Sequence, residues 1–313
     1  MPDIVVMFFL LGLIAGLLKS DLSLPKAAYD TLSLILMLTL GLKGGLAMHG
    51  NLSWALVPSL VTVLALGVTL PLLMFPLFRF VMRLNLADAA SMTAHYGSVS
   101  AGTFAVAWAF ALGRGMLVGP EATLFLVLLE VPAIVVALMF YSRFRQQKAE
   151  QKPMQLWHET LTNRGVILLL GGVLIGWLYG PEEGAEVSLM FVHAFKAILA
   201  LFLLEMGLVA ADTLRPFPWK QWRLLSFALL APFVLAMIGL AASAILGLPA
   251  GTALILASLL ASASYIAAPV AIRTAVPEAN IGLAMLCALG LTFPLNVLIG
   301  IPVYAHLAVS WLN

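Results

Sequence analysis

Residues 53–78 read SWALVPSLVTVLALGVTLPLLMFPLF, without one charged side chain. At about 1.5 Å per helical residue, that run exceeds the roughly 20 residues that cross a hydrocarbon layer. Nine more apolar runs repeat the pattern. In the first half the expected spans are 4–18, 27–48, 53–78, 87–112 and 119–141; in the second they are 165–180, 188–211, 225–246, 250–274 and 280–308. Apolar residues make up 63% of the chain and charged residues 10%, against about 45–50% and 25% in soluble domains. No run alternates at period two, as the strands of a membrane barrel do. The fold class this predicts is an all-α membrane protein with ten transmembrane helices.

The one strongly polar segment, YSRFRQQKAEQKPMQLWHETLTNRG at 141–165, separates the halves. It divides the chain into a first five-helix unit (1–141), a linker (142–164) and a second five-helix unit (165–313). With the linker in the cytoplasm and the chain alternating, Lys19, Lys26, Arg79, Arg83, Arg143, Arg145, Lys148, Lys152, Arg164, Arg215, Lys220, Arg223 and Arg273 all fall inside. Those are 13 of the 16 Lys and Arg residues, and the bias of short loops toward cytoplasmic cations sets the orientation. Both termini are then external. Asp3 stands where a signal peptide carries Lys or Arg, so the first helix is expected to be retained.

Five helices per unit is an odd number, so two similar units would be inverted in the membrane. LEVPAIVVALMFY (129–141) echoes LTFPLNVLIGIPVY (291–304), with Pro132 and Pro294 separated by 162 positions. The same offset joins Ser100 in GSVSAGT to Ser262 in ASASYIAAP, and Gly41 and Gly207 match at 166. Inverted repeats characterise secondary transporters, whose sites lie at the midplane where the repeats meet.

Counted from each span's centre, Ser100, Ser262, Glu130 and Pro294 share one depth, with Thr292 beside Pro294. Gly97, Ser98, Ser100, Gly102 and Thr103 can interrupt a helix there and turn backbone N–H groups toward a cavity. ASASYIAAP offers a matching interruption in the other unit, where Pro269 is expected to help end the half-helix. Half-helix N-termini bind anions without a full basic residue. Close helix packing through small residues is the alternative reading of both strings. Glu130 is costly inside a membrane. Carboxylate, hydroxyl and proline-freed carbonyl oxygens together suit sodium, while a neutral structural carboxylic acid is the other reading. Glu205 is a candidate for a second ion site or a proton relay, and Lys43 and Lys196 are expected to snorkel outward. GLIAG (12–16) and GLKGG (41–45) have the spacing of tight helix contacts, in a scaffold or between subunits.

Other chemistry is poorly supported. Lone Cys287 excludes an internal disulfide, and the net charge of +2 implies no nucleic-acid partner. His49, His95, His158, His193 and His306 lack ligand spacing, and only His95 borders the expected site, as a polar wall. There is no phosphate-binding loop, nucleophile elbow or paired-His metal motif. An enzyme is not expected.

At GSVSAGT, LEVPA and ASASYIAAPVAIRTAVPEAN, with LTLGLKGG and MGLVA in the second and seventh spans, the chain resembles the cyanobacterial sodium-dependent bicarbonate transporter family. The resemblance implies a sodium:bicarbonate symporter that works by an elevator-like movement and needs no organic cofactor. Helices one, two, six and seven would form a gate domain; three to five and eight to ten would form a core. Bicarbonate would lie between the crossing helices four and nine, against Gly97, Ser98, Val99, Ser100, Ala101, Gly102 and Thr103 on one side. Ser262, Ala263, Ser264 and Tyr265 would face it from the other. Sodium would be held among Glu130, Ser98, Thr103, Ser262, Ser264, Thr292 and Glu205. The resemblance also implies a homotrimer in a bacterial inner membrane and a cytoplasmic PII-like regulator. Ala263 and Tyr265 stand where the cyanobacterial members carry a serine and an aspartate, and Val209 replaces an acidic residue. A sodium-coupled carrier of another small anion, and a sodium/proton antiporter, remain open readings.

Overall fold

The computed structural model describes residues 4–50, 53–145, 164–215 and 217–312. Most of the expected linker, with His158, lies outside the described residues. Twelve helical segments make up the described chain, and no strand occurs among the described residues. They are α1 (Ile4–Leu17), α2 (Lys26–Met48), α3 (Trp54–Val81), α4 (Leu86–Gly97), α5 (Ala101–Gly113), α6 (Ala122–Phe144), α7 (Arg164–Glu183), α8 (Ala185–Thr213), α9 (Trp219–Leu246), α10 (Ala250–Leu260), α11 (Ala267–Ala275) and α12 (Ile281–Leu312).

Six of these, α2, α3, α6, α8, α9 and α12, are long and apolar enough to cross a membrane. The protein is accordingly read as multi-pass. The expected fourth and ninth spans are each divided, into α4 with α5 and α10 with α11, so no single piece has the length of a span. The outer faces carry exposed Leu, Ile and Val, and Trp54, Trp219, Trp222, Tyr179 and Trp311 are exposed near helix ends. Such aromatic rings favour the headgroup level.

Glycine seams set the pairing of four helices. A Cβ on Gly12 of α1 would stand 1.9 Å from the Leu204 carbonyl of α8, and one on Gly207 would stand 2.2 Å from the Phe9 carbonyl. Between α2 and α7, Cβ atoms on Gly41 and Gly45 would come within 2.2 and 2.1 Å of the Leu169 and Val173 carbonyls. Backbones meet here without side chains between them, the geometry small residues permit in membranes. Both GLIAG and GLKGG therefore serve contacts within the chain.

The remaining helices surround the two divided ones. α3 and α6 pack on α4, α9 and α12 pack on α10, and the half-helices cross as α4 with α11 and α5 with α10. Residues Gly251–Leu260 of α10 are all buried. α12 is not uniformly α-helical: π-helical turns at Leu286–Thr292 and Asn296–Gly300 flank Phe293–Leu295. Pro294 removes one backbone donor from this ladder, and π turns of this kind recur at functional sites.

Candidate functional site

The chain leaves helical geometry after Gly97. Ser98 (φ −94°, ψ 179°) and Ser100 (φ −109°, ψ 119°) are extended, and α5 begins at Ala101. The Ser100 hydroxyl accepts the Thr103 N–H at 3.0 Å and so caps α5. The amides of Ala101 and Gly102, in the first turn, have no acceptor within their helix. At the other interruption, Ala261 to Ile266, Ser264 Oγ accepts the Ala268 N–H at 3.1 Å. Pro269 does not end a half-helix as expected. It occupies the third position of α11, in the first turn, where a missing N–H costs nothing. Proline marks the interruption correctly but belongs to the helix that follows it.

The two interruptions are bonded to each other. Ser100 N donates to Ser262 Oγ at 2.8 Å, and Ser264 N donates to the His95 carbonyl at 2.7 Å. Ser262 Oγ in turn donates to the Leu259 carbonyl at 2.7 Å. The offset of 162 read from the sequence is therefore a contact, with Ser100 directly against Ser262. All of Ser98, Ser100, Thr103, Ser262 and Ser264 are buried, as are Gly97, Val99, Gly102 and Ala263, while Ala101 is half-buried. Every expected anion-site residue thus falls in one buried crossing.

Two hydroxyls at this crossing keep free valences. Thr103 Oγ1 and Tyr265 Oη are buried and form no hydrogen bond of good geometry among the described residues. A Cβ on Gly102 would lie 2.0 Å from Tyr265 Oη, so the phenol head rests on the first turn of α5. The ring of Phe202 from α8 stands on the same turn, 3.2 Å from that Cβ position. Phe202 stacks on Tyr29, and Tyr265 meets Phe293 edge-on. This aromatic wall is not evident in the sequence, because its members come from three separate helices and the second interruption.

The expected sodium ligands are distributed unevenly. Ser98 Oγ reaches the Glu130 backbone carbonyl at 3.4 Å. The Glu130 side chain is half-buried and forms no hydrogen bond or ion pair among the described residues. Pro132 lacks the N–H that would bond the Leu128 carbonyl, and Gly67 of α3 packs against that carbonyl. Thr292 is already engaged, donating to the Ala228 carbonyl at 2.7 Å and lying 2.8 Å from the Tyr96 hydroxyl. Glu205 sits one helical turn beyond Phe202, where the Leu24 backbone approaches its carboxylate. No described hydrogen bond or ion pair joins it to the serines. No cluster of three or more His, Cys, Asp and Glu side chains occurs among the described residues, so any ion here would rest on hydroxyl and carbonyl oxygens with single carboxylates.

Sequence reasoning missed Asn296. Fully buried, it donates to the Ala261 carbonyl at 2.7 Å and accepts from the Tyr304 hydroxyl at 3.0 Å. It thereby fixes the end of α10. A lone Asn within an apolar span, two residues after Pro294, is the signal that could have revealed it.

The arrangement offers a buried crossing with unpaired N–H and O–H donors on one side and carbonyl oxygens beside a carboxylate on the other. Among the described residues, no hydrogen bond in it pairs a nucleophile with a base. No curated protein matches the chain. The profile of the Na+-dependent bicarbonate transporter superfamily matches residues 4–309, both interruptions and Glu130 included, and the chain belongs to that superfamily, a family of transporters and not of enzymes.

Proposed function

We propose that the protein is a sodium:bicarbonate symporter that loads its anion between the two interrupted helices. The observation that carries this reading is the crossing itself, where the N-terminus of α5 brings unpaired amides and the Thr103 and Tyr265 hydroxyls to one buried place. A singly charged, planar anion suits such donors. Bicarbonate can exchange its hydration for N–H and O–H groups without an arginine, and among the described residues no arginine is bonded to the crossing. Sodium would sit beside Glu130, with the Ser98 and Thr103 hydroxyls and freed carbonyls as neutral oxygens; Ser262, Ser264, Thr292 and Glu205 complete the proposed set. Hard cations take oxygen ligands of this kind.

In this reading the chain spans the membrane ten times as two inverted units, 1–141 and 165–313, with both termini external in a bacterial inner membrane. The pairing of α1 with α8 and of α2 with α7 supports such symmetry, since each joins one helix from either unit at equivalent positions. Those four helices would form the stationary gate, and α3–α6 with α9–α12 the body that carries the anion inward by an elevator-like displacement. A trimer and a cytoplasmic PII-like regulator belong to the same reading.

Tyr265 favours a second version. Its ring lies on Gly102 and narrows the space above the α5 amides, which suits another small anion equally well. Uptake of labelled bicarbonate into proteoliposomes, with and without an inward sodium gradient, tests the proposal. Accumulation that requires sodium is expected. Sodium-driven uptake of a different small anion would keep the mechanism and change the cargo, whereas sodium flux in exchange for protons without any anion would establish an antiporter instead.

A further inference from the structure

Away from the crossing, α3 and α9 leave a groove of about 470 Å³ between them. Met74 and Leu77 form one wall, Phe227 and Val234 the other, and Trp222 and Arg223 stand at one end. The groove is apolar along its length apart from that end. Leu230 and Val234 are 66% and 63% exposed, so the groove opens sideways, toward the space a bilayer fills. From Trp222 to Leu235 it follows α9 for fourteen residues, or about 20 Å at helical rise, compared with about 15 Å for half of a hydrocarbon core.

Charge identifies the occupant. Arg223 is the one charged side chain lining the groove, and among the described residues it forms no hydrogen bond or ion pair, only a contact with the Trp222 ring at 5.7 Å. No Asp or Glu occurs anywhere from residue 31 to 87 or from 213 to 277, so neither wall nor its flanking loops can supply a counter-charge. Lys220, Arg79 and Arg83 add cations at the same ends of the two helices. α9 also starts without a side-chain cap, leaving the positive end of its dipole unscreened.

We propose that this groove binds an anionic phospholipid, with one acyl chain lying between α3 and α9 and the phosphate on Arg223. Trp222 marks the headgroup level. Phe227, in the α9 wall, meets Phe78 and Tyr96 edge-on, with ring centroids 4.9 and 5.0 Å away. Tyr96 is two residues from Ser98, so the lipid would press on the wall behind the interruption of the fourth span.

Native mass spectrometry of the purified full chain, titrated with phosphatidylglycerol and separately with phosphatidylcholine, tests the site. One phosphatidylglycerol is expected to be retained in preference to phosphatidylcholine. Arg223→Gln should weaken that retention about fivefold, the loss expected for one cation near an anionic lipid, whereas Arg223→Lys should keep the preference. Lys220→Gln, outside the groove, should weaken it clearly less than Arg223→Gln, and Val234→Trp should reduce retention of both lipids by occupying the groove. Glycerol 3-phosphate, which has no acyl chain, should not bind. Equal retention of the two lipids, an unchanged preference in Arg223→Gln, or an equal loss in Lys220→Gln would each overturn the proposal.

Discussion

The two helix interruptions are made of similar residues yet finish in different chemical states. At the second, Ser264 caps Ala268, Pro269 removes a further donor, and Asn296 holds the Ala261 carbonyl. Thr292, at the sequence offset of 162 from Glu130, is bonded on both sides. At the first, α5 keeps two unpaired amides, Thr103 Oγ1 has no partner, and the Glu130 carboxylate is free of hydrogen bonds among the described residues. The second interruption is the more fully bonded and anchors the crossing, with Tyr265 Oη its free hydroxyl; the first keeps more free donors and oxygens for ligands. Similar strings of residues therefore need not make similar sites.

Substitutions can break or sharpen that contrast. The largest effect is expected from Gly102→Ala, whose Cβ would fall 2.0 Å from Tyr265 Oη. Overpacking of this kind costs about 1–3 kcal/mol, and uptake should be lost. Tyr265→Phe in the same chain removes the clashing atom and should restore part of it; failure of the double variant to regain any uptake would show that Gly102 serves something other than this contact.

Glu130→Gln comes next. With no partner to orphan, it should leave the melting temperature nearly unchanged while lowering sodium-dependent uptake at least about tenfold, a loss of ~1.4 kcal/mol. A variant that melts early yet still responds to sodium would reverse the assignment. At the more fully bonded interruption the balance should invert. Asn296→Ala leaves the buried Ala261 carbonyl unpaired, at a cost of about 1–3 kcal/mol. Its melting temperature should drop, with the sodium concentration for half-maximal uptake unchanged; a shifted sodium dependence instead would place Asn296 in the ion site.

The smallest effect concerns acid. Glu278 lies outside the spans, in the turn between α11 and α12, and its carboxyl is held below the usual carboxylate range. The hydroxyl of Tyr141 donates to it, its own backbone adds to this, and Arg145 at 4.0 Å contributes last. A depressed pKa gives stability that is present at neutral pH and lost as pH falls below the ordinary carboxylate range. Melting curves of wild type and Glu278→Gln should therefore differ slightly at pH 7 and converge in strong acid. Parallel curves at every pH would show that the Tyr141–Glu278 contact adds nothing.

Much of this was legible in the sequence. Strings of Ser, Gly and Thr in apolar runs gave away both interruptions, and the repeated offset joined Ser100 to Ser262 before any contact was known. Which hydroxyls remain free was not legible. That depends on partners distant in the chain, as Thr292 depends on Ala228 and Tyr96, and local pattern carries no record of them. Pro269 shows a different limit: proline signals where a helix changes but not which side it joins. Glu205 read as an intramembrane acid, yet the segment entering α2 comes to meet it, a consequence of the glycine seams and not of its own neighbours.

The bond from Ser100 N to Ser262 Oγ also constrains how the protein is made. At roughly 5–20 residues per second of synthesis, Ser262 emerges about 8 to 32 s after Ser100, 162 residues earlier in the chain. Throughout that interval the first interruption has an amide with no acceptor, and lipid cannot supply one. The nascent first half must wait in water, in the insertion machinery or against a temporary partner, and the crossing is completed only when Ser262 arrives.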